Sequence, residues 1–330
     1  MKPSTVATEF PHSDCYRSGL TADPDAQAAA LVYGRWQQRY TQLSSGRFEG
    51  EVEEVELPPL TILKERSNRI IHQSGHAPAG VFAVGLVMAH SGNAYFRGDI
   101  LHRRSLAKIE PMREFELRTS EHFDIVGAAF RPEILCAHID DPAIDYRELE
   151  RDLERASRTI ECPQTECLSA FLLRLLETAR DNPALIFHAQ NVRSIAEEFY
   201  ELLTACLNPT YQAPASSVCE NRDRLVRRVR AYLEASKDCA VSISDICREV
   251  GVTRRTLQNA TQEVLGVSPQ NYLKAVRLNG LRRDLRARDP LRESIGDVAS
   301  RWGFWHLSQL AQDFRRLFGE LPSQTTARLH

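Results

Sequence analysis

Short runs of apolar or alternating residues fill the segment from residue 48 to residue 135. The stretch FEGEVEEVEL alternates apolar and charged residues, and VFAVGLVMA, AYFRGDIL, LAKIE and FDIVGAAF are short runs broken by Gly, Asn and Pro. Alternation with a period of two, and short apolar runs between turn residues, are typical of β-strands. The near-regular spacing of these runs predicts a β-sandwich or a small barrel.

A helical pattern follows over residues 146–207. YRELERDLERASRTI and ECLSAFLLRLLETAR place apolar residues at steps of three and four, which is the period of one helix face. ALIFHAQNVRSIAEEFYELLTACL fits either one long helix or two. The next stretch, NPTYQAPASSVCEN, is rich in Pro, Ser and Ala, so it predicts a linker over residues 208–220.

The remaining residues, 221–330, are predicted to be all-helical and contain an internal repeat. SISDICREVGVTRRTLQNATQEVLGVSP aligns with SIGDVASRWGFWHLSQLAQDFRRLFGELP, and the one-residue difference in offset falls just after a glycine. Ser242 and Ser294 are predicted N-caps, each with an aspartate three residues later, and the first helix of each copy ends near Gly251 or Gly303. A short helix, a glycine turn and a longer helix form the helix-turn-helix pattern, predicted here over 242–266 and 294–319.

Polar side chains gather on the second helix of each copy. Arg and Gln are suited to bidentate contacts with guanine and adenine, and the N-terminal residues of such helices reach base edges in the major groove. The predicted DNA contacts are Arg254, Arg255, Gln258 and Asn259 in the first copy and His306, Ser308, Gln309 and Gln312 in the second. The predicted phosphate contacts are Arg315, Arg316, Arg282 and Arg283.

Between the copies, SPQNYLKAVRLNGLRRDLRARDPLRES predicts a linking helix that fixes the two reading heads relative to each other. Heads one DNA turn apart, about 34 Å, would meet successive major grooves, so one monomer would read two adjacent sub-sites. Trp302 and Trp305 flank the second glycine turn. We expect Trp302 to pack in the domain and Trp305 to be available to the DNA backbone.

The net charge of −2 conceals an asymmetry between the two parts of the chain. Residues 221–330 carry 20 Lys and Arg against 12 Asp and Glu, a net charge of +8, while residues 1–220 carry 22 against 32, a net charge of −10. A basic part within a nearly neutral chain indicates a polyanionic partner, with chance clustering on a solvated surface as the alternative.

Residues 221–330 resemble the DNA-binding domain of the AraC/XylS family of transcription regulators. The resemblance rests on ISDICREVGVTRRTLQ, on YLKAVRL and on the C-terminal signature IGDVASRWGFWHLSQLAQDFRRLFGELP. It implies a regulator, with activation as the expectation, that binds double-stranded DNA and contacts RNA polymerase. The second unit has Ala311 where the family typically has an aromatic residue, so the base preference does not transfer.

The same resemblance implies an α+β fold class, with a cupin-like β-barrel or sandwich plus helices over residues 1–207. Such a domain binds a small-molecule effector and mediates dimerisation, so a homodimer is a possible state. RWQQRYTQLSSGRFEGEV and ERSNRIIHQSG are similar to regulators of ethanolamine and related amine catabolism. The candidate effector contacts are Glu65, Arg66, Asn68 and Gln73, with exposed turn residues as the alternative.

Two other readings remain open at this stage. A cupin-type metalloenzyme needs an HxH pair, but histidines 72, 76, 90, 102 and 122 form none, and the intervening QSG predicts a loop between His72 and His76. The chain also has no Walker loop, dinucleotide fingerprint or Gly-x-Ser-x-Gly, so we predict no metal, no cofactor and no enzymatic activity. The metal content of the purified protein would discriminate between a metalloenzyme and a regulator. A helical adaptor for proteins is disfavoured by the repeated turn and the basic excess.

The sequence predicts a cytoplasmic protein. No run approaches 18 apolar residues, and the first residues lack a basic start followed by an apolar core. The eight cysteines are scattered without a CxxC motif, as expected for reduced thiols.

Overall fold

The computed structural model describes residues 15–31, 35–57, 59–208, 210, 217–236 and 241–326. The strands, in chain order, are β1 (Tyr16–Thr21), β2 (Gln37–Gln42), β3 (Gly50–Glu56), β4 (Thr61–Ser67), β5 (Ile71–His76), β6 (Phe82–His90), β7 (Ala94–Phe96), β8 (Asp99–Leu101), β9 (Ser105–Ile109), β10 (Glu114–Arg118), β11 (Phe123–Phe130) and β12 (Thr159–Glu161). They form two antiparallel sheets. The larger has the order β1-β3-β4-β11-β6-β9-β12, and the smaller has the order β2-β5-β10-β7-β8.

Helices frame the sheets and build the C-terminal domain. The N-terminal helices are α1 (Pro24–Ala30), α2 (Pro132–Ala137), α3 (Tyr146–Arg155), α4 (Gln164–Asp181), α5 (Pro183–Phe187) and α6 (Ala189–Cys206). The C-terminal helices are α7 (Ser217–Ala235), α8 (Ile243–Val250), α9 (Arg254–Leu265), α10 (Pro269–Ala287), α11 (Ile295–Arg301), α12 (Leu307–Phe318) and α13 (Pro322–Thr326). A β-sandwich with helices followed by an all-helical domain confirms the predicted α+β fold class.

The larger sheet is covered on both faces, because successive side chains of a strand point to opposite sides. On one face Val84 and Val126 pack against α4 and α6, and the ring of Phe130 lies 5.2 Å from that of Phe199 in an edge-on arrangement. On the other face Ile125 joins a second core with Phe115 of the smaller sheet. The N-terminal domain is therefore a stack of helices, larger sheet and smaller sheet.

The structure extends the predicted strand region and corrects one loop. Strands β1, β2 and β12 lie outside residues 48–135, and β12 interrupts the region read as helical. The predicted loop between His72 and His76 is wrong, since these residues form β5 between β2 and β10. The stretch that fitted one helix or two forms two, α5 and α6. Helix α7 begins inside the stretch predicted as a linker, and the division into 1–207, 208–220 and 221–330 stays a prediction.

Both predicted helix-turn-helix units form in the C-terminal domain. Each first helix has a reciprocal capping box, in which the Ser242 or Ser294 hydroxyl accepts from the third backbone N–H and the aspartate accepts from the serine N–H. Helix α10 supplies Leu273 to the core of the first unit and Leu281 to that of the second, so it links the two units by packing in both cores.

The C-terminal domain docks on the outer face and the edge of the smaller sheet. Arg230 of α7 forms an ion pair with Glu116 of β10 at 3.1 Å. At the edge strand β2, the side-chain amide of Asn279 accepts from the backbone N–H of Gln42 and donates to its carbonyl, both at 3.0 Å. Helix α10 therefore covers the hydrogen-bonding edge that β2 would otherwise present to solvent.

Candidate nucleic-acid interface and interior cavity

The first recognition helix, α9, presents its predicted contacts to solvent. Thr253 caps the helix by accepting from the backbone N–H of Thr256 at 3.1 Å. One face is buried against the domain core, and the opposite face is polar. The exposed polar residues of the first two turns include all four predicted contacts, Arg254, Arg255, Gln258 and Asn259. Arg254 Nη2 also donates to Ser244 Oγ at 2.6 Å, which fixes this arginine against the preceding helix.

The second recognition helix, α12, repeats this arrangement with different side chains. Leu310, Phe314 and Phe318 are buried, and the polar residues other than the buried Asp313 lie on the other face. All six predicted contacts are exposed, namely His306, Ser308, Gln309, Gln312, Arg315 and Arg316. Trp305, which is 71% exposed, stands beside the first turn. Each helix thus carries a polar reading face over a buried apolar face.

Trp302 packs as expected, and a glycine makes room for it. The Trp302 ring lies on Gly280 of α10, where a Cβ atom would fall within 2.5 Å of three ring atoms. Its Nε1 donates to Asp284 Oδ2 at 2.8 Å. This contact fixes the second unit directly on the linking helix.

The prediction that Arg282 and Arg283 contact phosphates is wrong. Arg282 is buried, pairs with Glu320 at 2.9 Å and lies over the Phe318 ring. Arg283 donates to Asp25 at 2.9 Å and to the Tyr40 carbonyl at 2.7 Å. Both guanidinium groups therefore serve the interior and the domain interface. Since Arg286 also pairs with Asp23, part of the basic excess of the C-terminal domain complements acids of the N-terminal domain.

A cavity of about 60 Å³ lies between the two sheets. Its lining is mostly apolar and includes Phe96, Phe115, Leu117 and Ile125. Among the described residues that line it, none is Lys, Arg or His. An anion in this cavity would therefore have no opposite charge to offset its desolvation.

The structure separates the four candidate effector contacts into two pairs. Glu65 and Gln73 line the cavity. Arg66 faces away from it and pairs with Glu51 at 2.9 Å, and Asn68 Oδ1 accepts from the backbone N–H of Glu49 at 2.8 Å. Neighbouring strand residues point to opposite faces, so a contiguous cluster in sequence could not form one pocket.

Glu65 is the titratable group of the cavity. Its Oε1 accepts from the Tyr40 hydroxyl at 2.6 Å and from Gln27 Nε2 at 3.1 Å. Burial is the largest cause of its shifted pKa and raises the pKa of this carboxyl, against the lowering effect of the two hydrogen bonds. Burial therefore makes this carboxyl harder to ionise than an exposed glutamate.

One hydrogen-bond donor at the cavity has no partner. Trp36 Nε1 is a buried atom without a hydrogen bond and its side chain belongs to the lining, whereas the neighbouring Gln38 side chain hydrogen-bonds to Tyr40. A buried donor without an acceptor costs about 1–3 kcal/mol. A molecule that brought an acceptor into the cavity would remove that cost.

Among the described residues, no group of three His, Cys, Asp or Glu side chains is placed to hold a metal ion. Nor is any helix in the described part of the chain both long and apolar enough to cross a membrane. No observation favours the metalloenzyme alternative.

Two exposed recognition helices on one helical domain define a double helix-turn-helix domain of the DNA-binding class. A family model described as a helix-turn-helix domain matches residues 246–328. A probable thc operon regulatory protein of Rhodococcus erythropolis is 37% identical over 100 residues, which cover 30% of this chain and 30% of that protein. An XylDLEGF operon transcriptional activator of Pseudomonas putida is 31% identical over 98 residues, again 30% of each.

The matched part spans less than a third of the length of these curated relatives. Among solved structures, the AraC-like transcriptional activator CuxR has a TM-score of 0.39 and 17% identity, covering 79% of this chain and 93% of that chain. ToxT from Vibrio cholerae O395 has a TM-score of 0.29 and 12% identity, covering 89% and 98%. Residues 246–328 are therefore similar to the helix-turn-helix domains of these curated transcription regulators.

Proposed function

We propose that the chain is a sequence-specific DNA-binding transcription regulator, each monomer of which reads two adjacent major-groove sub-sites. The observation that carries this proposal is the pair of recognition helices whose polar N-terminal turns are exposed. On α9, Gln258 and Asn259 lie three and four residues after Arg255, and on α12 Gln312 lies four residues after Ser308, so each set is on the same side of its helix.

The linking helix has a length that suits two grooves. Helix α10 has 19 residues, and at 1.5 Å per residue it is about 28 Å long. That length approaches the repeat of about 34 Å between successive major grooves on one side of DNA. It supports simultaneous reading by both units.

The test is salt-dependent binding of the full chain to DNA sites that it selects from a random duplex pool. Arginine contacts to phosphates release counterions, so the logarithm of the binding constant should fall with the logarithm of salt, by about 0.9 for each phosphate neutralised. A protein that selects no sequence, or whose affinity does not change with salt, would contradict the proposed function.

We also propose that the interior cavity binds a compact, uncharged, largely apolar effector with one hydrogen-bond acceptor. The unpaired donor Trp36 Nε1 favours an acceptor, and the apolar lining disfavours charge. The cavity is well below the roughly 150 Å³ that accommodates benzene, so a molecule of about five heavy atoms suits it.

Effector binding would reach the DNA-binding domain through one layer of sheet. On β10, Leu117 lines the cavity while Glu116 pairs with Arg230 on the opposite face. On β5, Gln73 lines the cavity while His72 lies against Tyr272 of α10. A ligand that shifts these strands changes the surface on which the C-terminal domain rests, which gives the two states different ligand affinities.

Propionamide, propionate and propylammonium test the effector class, because they share a shape and differ in charge. We expect only propionamide to raise the melting temperature, and the Trp36→Phe variant to lose part of that rise. A rise with propionate or propylammonium alone would contradict an uncharged effector. The outcome is independent of DNA binding, which is measured separately.

The remaining functions rest on the relatives' names and on the family. We propose activation of a catabolic operon, contact with RNA polymerase, homodimerisation and a cytoplasmic location, where DNA is accessible. The curated relative from Pseudomonas putida is named an activator. A reporter placed downstream of a selected site distinguishes activation from repression by the sign of its change in expression.

A further inference from the structure

The last carbonyl groups of both recognition helices accept hydrogen bonds from the N-terminal domain. A helix leaves its last four carbonyls without partners inside the helix. At the end of α9, Arg118 Nε donates to the Leu265 carbonyl at 3.0 Å. At the end of α12, Gly46 N donates to the carbonyls of Arg316 and Leu317 at 3.1 Å, and Gln42 Nε2 donates to that of Leu317 at 2.6 Å.

Glycine at both helix ends permits this close approach. Gly266 and Gly319 end α9 and α12 in left-handed conformations, with φ of 68° and 71°. A Cβ atom at Gly266 would lie 2.8 Å from Arg118 Nη2, and one at Gly319 would lie 3.2 Å from the backbone nitrogen of Arg47. Gly251, which ends α8, has nothing within 4 Å of its missing Cβ. The ends of α9 and α12 are therefore approached tightly, whereas the end of α8 is not.

The three donors belong to one small, continuous part of the sandwich. Gln42 ends β2, Gly46 follows it by four residues, and Arg118 ends β10. Strands β2 and β10 flank β5, so hydrogen-bonded ladders fix their separation at about 10 Å. We call Arg118, Gln42 and Gly46 the end clamp.

We propose that the end clamp sets the separation and the relative orientation of the two recognition helices on DNA, and this inference rests on the proposed DNA-binding function. The clamp holds the C-terminal ends of both helices, while their N-terminal turns are the exposed reading ends. Each helix of 12 residues is about 18 Å long, so a small rotation at the held end displaces the reading end. The guanidinium of Arg118 also lies at the helix terminus where a positive charge is favourable.

The test compares spacing preference among full-length variants. Sites are selected from a random duplex pool, and affinities are measured for a selected site and for versions with one base pair inserted or deleted between its sub-sites. We expect the wild-type chain to lose about tenfold in affinity on each change, comparable to one mismatched base pair. The Arg118→Met/Gln42→Met double variant should reduce that loss at least threefold, because it removes both side-chain donors of the end clamp and leaves only the Gly46 backbone contact. Each single variant should reduce the loss by less.

Arg283→Met is the matched control. It removes domain-interface contacts from α10 to α1 and β2 that touch neither recognition helix, so its spacing preference should equal that of the wild type. A folded double variant that keeps the wild-type spacing preference would overturn the proposal. Equal broadening in Arg283→Met would overturn it too, since docking in general would then be responsible.

A second measurement separates failure of the clamp from failure of the proposed function. The Gly46 amide of the DNA-free protein should exchange with solvent at least tenfold more slowly than a free amide, because it donates to α12. Exchange of the Gly46 amide at the rate of a free amide would overturn the proposed clamp, even if the protein binds DNA. Protection at Gly46 in a protein that selects no DNA would instead show that the function, and with it the positioning role, is wrong.

Discussion

The hydroxyl of Tyr272 lies 3.3 Å from Nδ1 of His72, across the interface between the linking helix and the smaller sheet. The two rings meet edge-on, 5.7 Å apart. His72 Nε2 hydrogen-bonds to the Glu116 carboxylate, which also pairs with Arg230. A continuous set of buried polar groups thus joins the two domains, and each group depends on its neighbours for a partner.

Removing Arg230 should strongly destabilise the chain. Arg230→Met leaves the Glu116 carboxylate, which is 2% exposed, without its guanidinium partner. Breaking one side of a buried ion pair costs about 3–5 kcal/mol. Urea unfolding measures the loss. Arg39→Met removes a half-exposed pair with Glu234 on the same face and should cost under about 1 kcal/mol, so equal losses would contradict a special role for Glu116.

Two exposed arginines should affect DNA binding in different ways. Arg255→Ala should relax base preference at one position by about 1–3 kcal/mol, because a bidentate contact to a base edge is lost. Arg315→Ala, in the last turn of α12, should weaken all sequences equally and lower the salt slope by about 1. Affinities for single-base variants of a selected site, measured at several salt concentrations, separate the two. An equal loss of affinity for all sequences in Arg255→Ala would instead indicate that Arg255 contacts a phosphate.

Gly280→Ala should detach the second unit from the linking helix. The added methyl group would enter the Trp302 ring, and overpacking of this kind costs about 1–3 kcal/mol. Gly296→Ala is a suitable control, since its nearest neighbour would be 3.5 Å away. Thermal unfolding followed by tryptophan fluorescence should show an early transition in Gly280→Ala alone. Equal stability of the two variants would count against this packing.

The stability of the sandwich should depend on pH through Glu65. Since burial raises the folded-state pKa of this carboxyl, its contribution is fully present below the unfolded pKa and is lost as pH rises through the folded pKa. Each unit of difference between the two pKa values is worth about 1.4 kcal/mol. When the pH is raised from 5 to 8, the melting temperature should fall less in Glu65→Gln than in the wild type. The exposed Glu133→Gln should retain the wild-type slope.

Local signals explain why the helix-turn-helix units could be predicted from the sequence. A cap at Ser242 or Ser294, a glycine turn and an apolar face all lie within one unit of about 25 residues. The same locality brought the predicted reading residues to exposed turns of α9 and α12. An effector site in the sandwich could be predicted from the sequence, but its full set of lining residues could not. Glu65 and Arg66 are neighbours in sequence and point to opposite faces of β4, so only Glu65 lines the cavity.

Interface residues had no such signal. Arg283 and its partner Asp25 are 258 positions apart, and nothing near Arg283 distinguishes it from an exposed phosphate-binding arginine. Arg118 caps α9 from 147 positions away. Only the opposite net charges of the two parts of the chain hint at this contact, and that asymmetry fits a polyanionic partner or chance clustering on the surface equally well.

The pairing of Asn279 with Gln42 has a consequence for work with fragments of this chain. Because α10 satisfies the outward backbone groups of β2 at Gln42 and Tyr40, a fragment without α10 would present an open strand edge. Open edges add strands from other molecules. Self-association of an isolated N-terminal fragment would therefore report on the edge uncovered by truncation, and the quaternary structure has to be measured on the full chain.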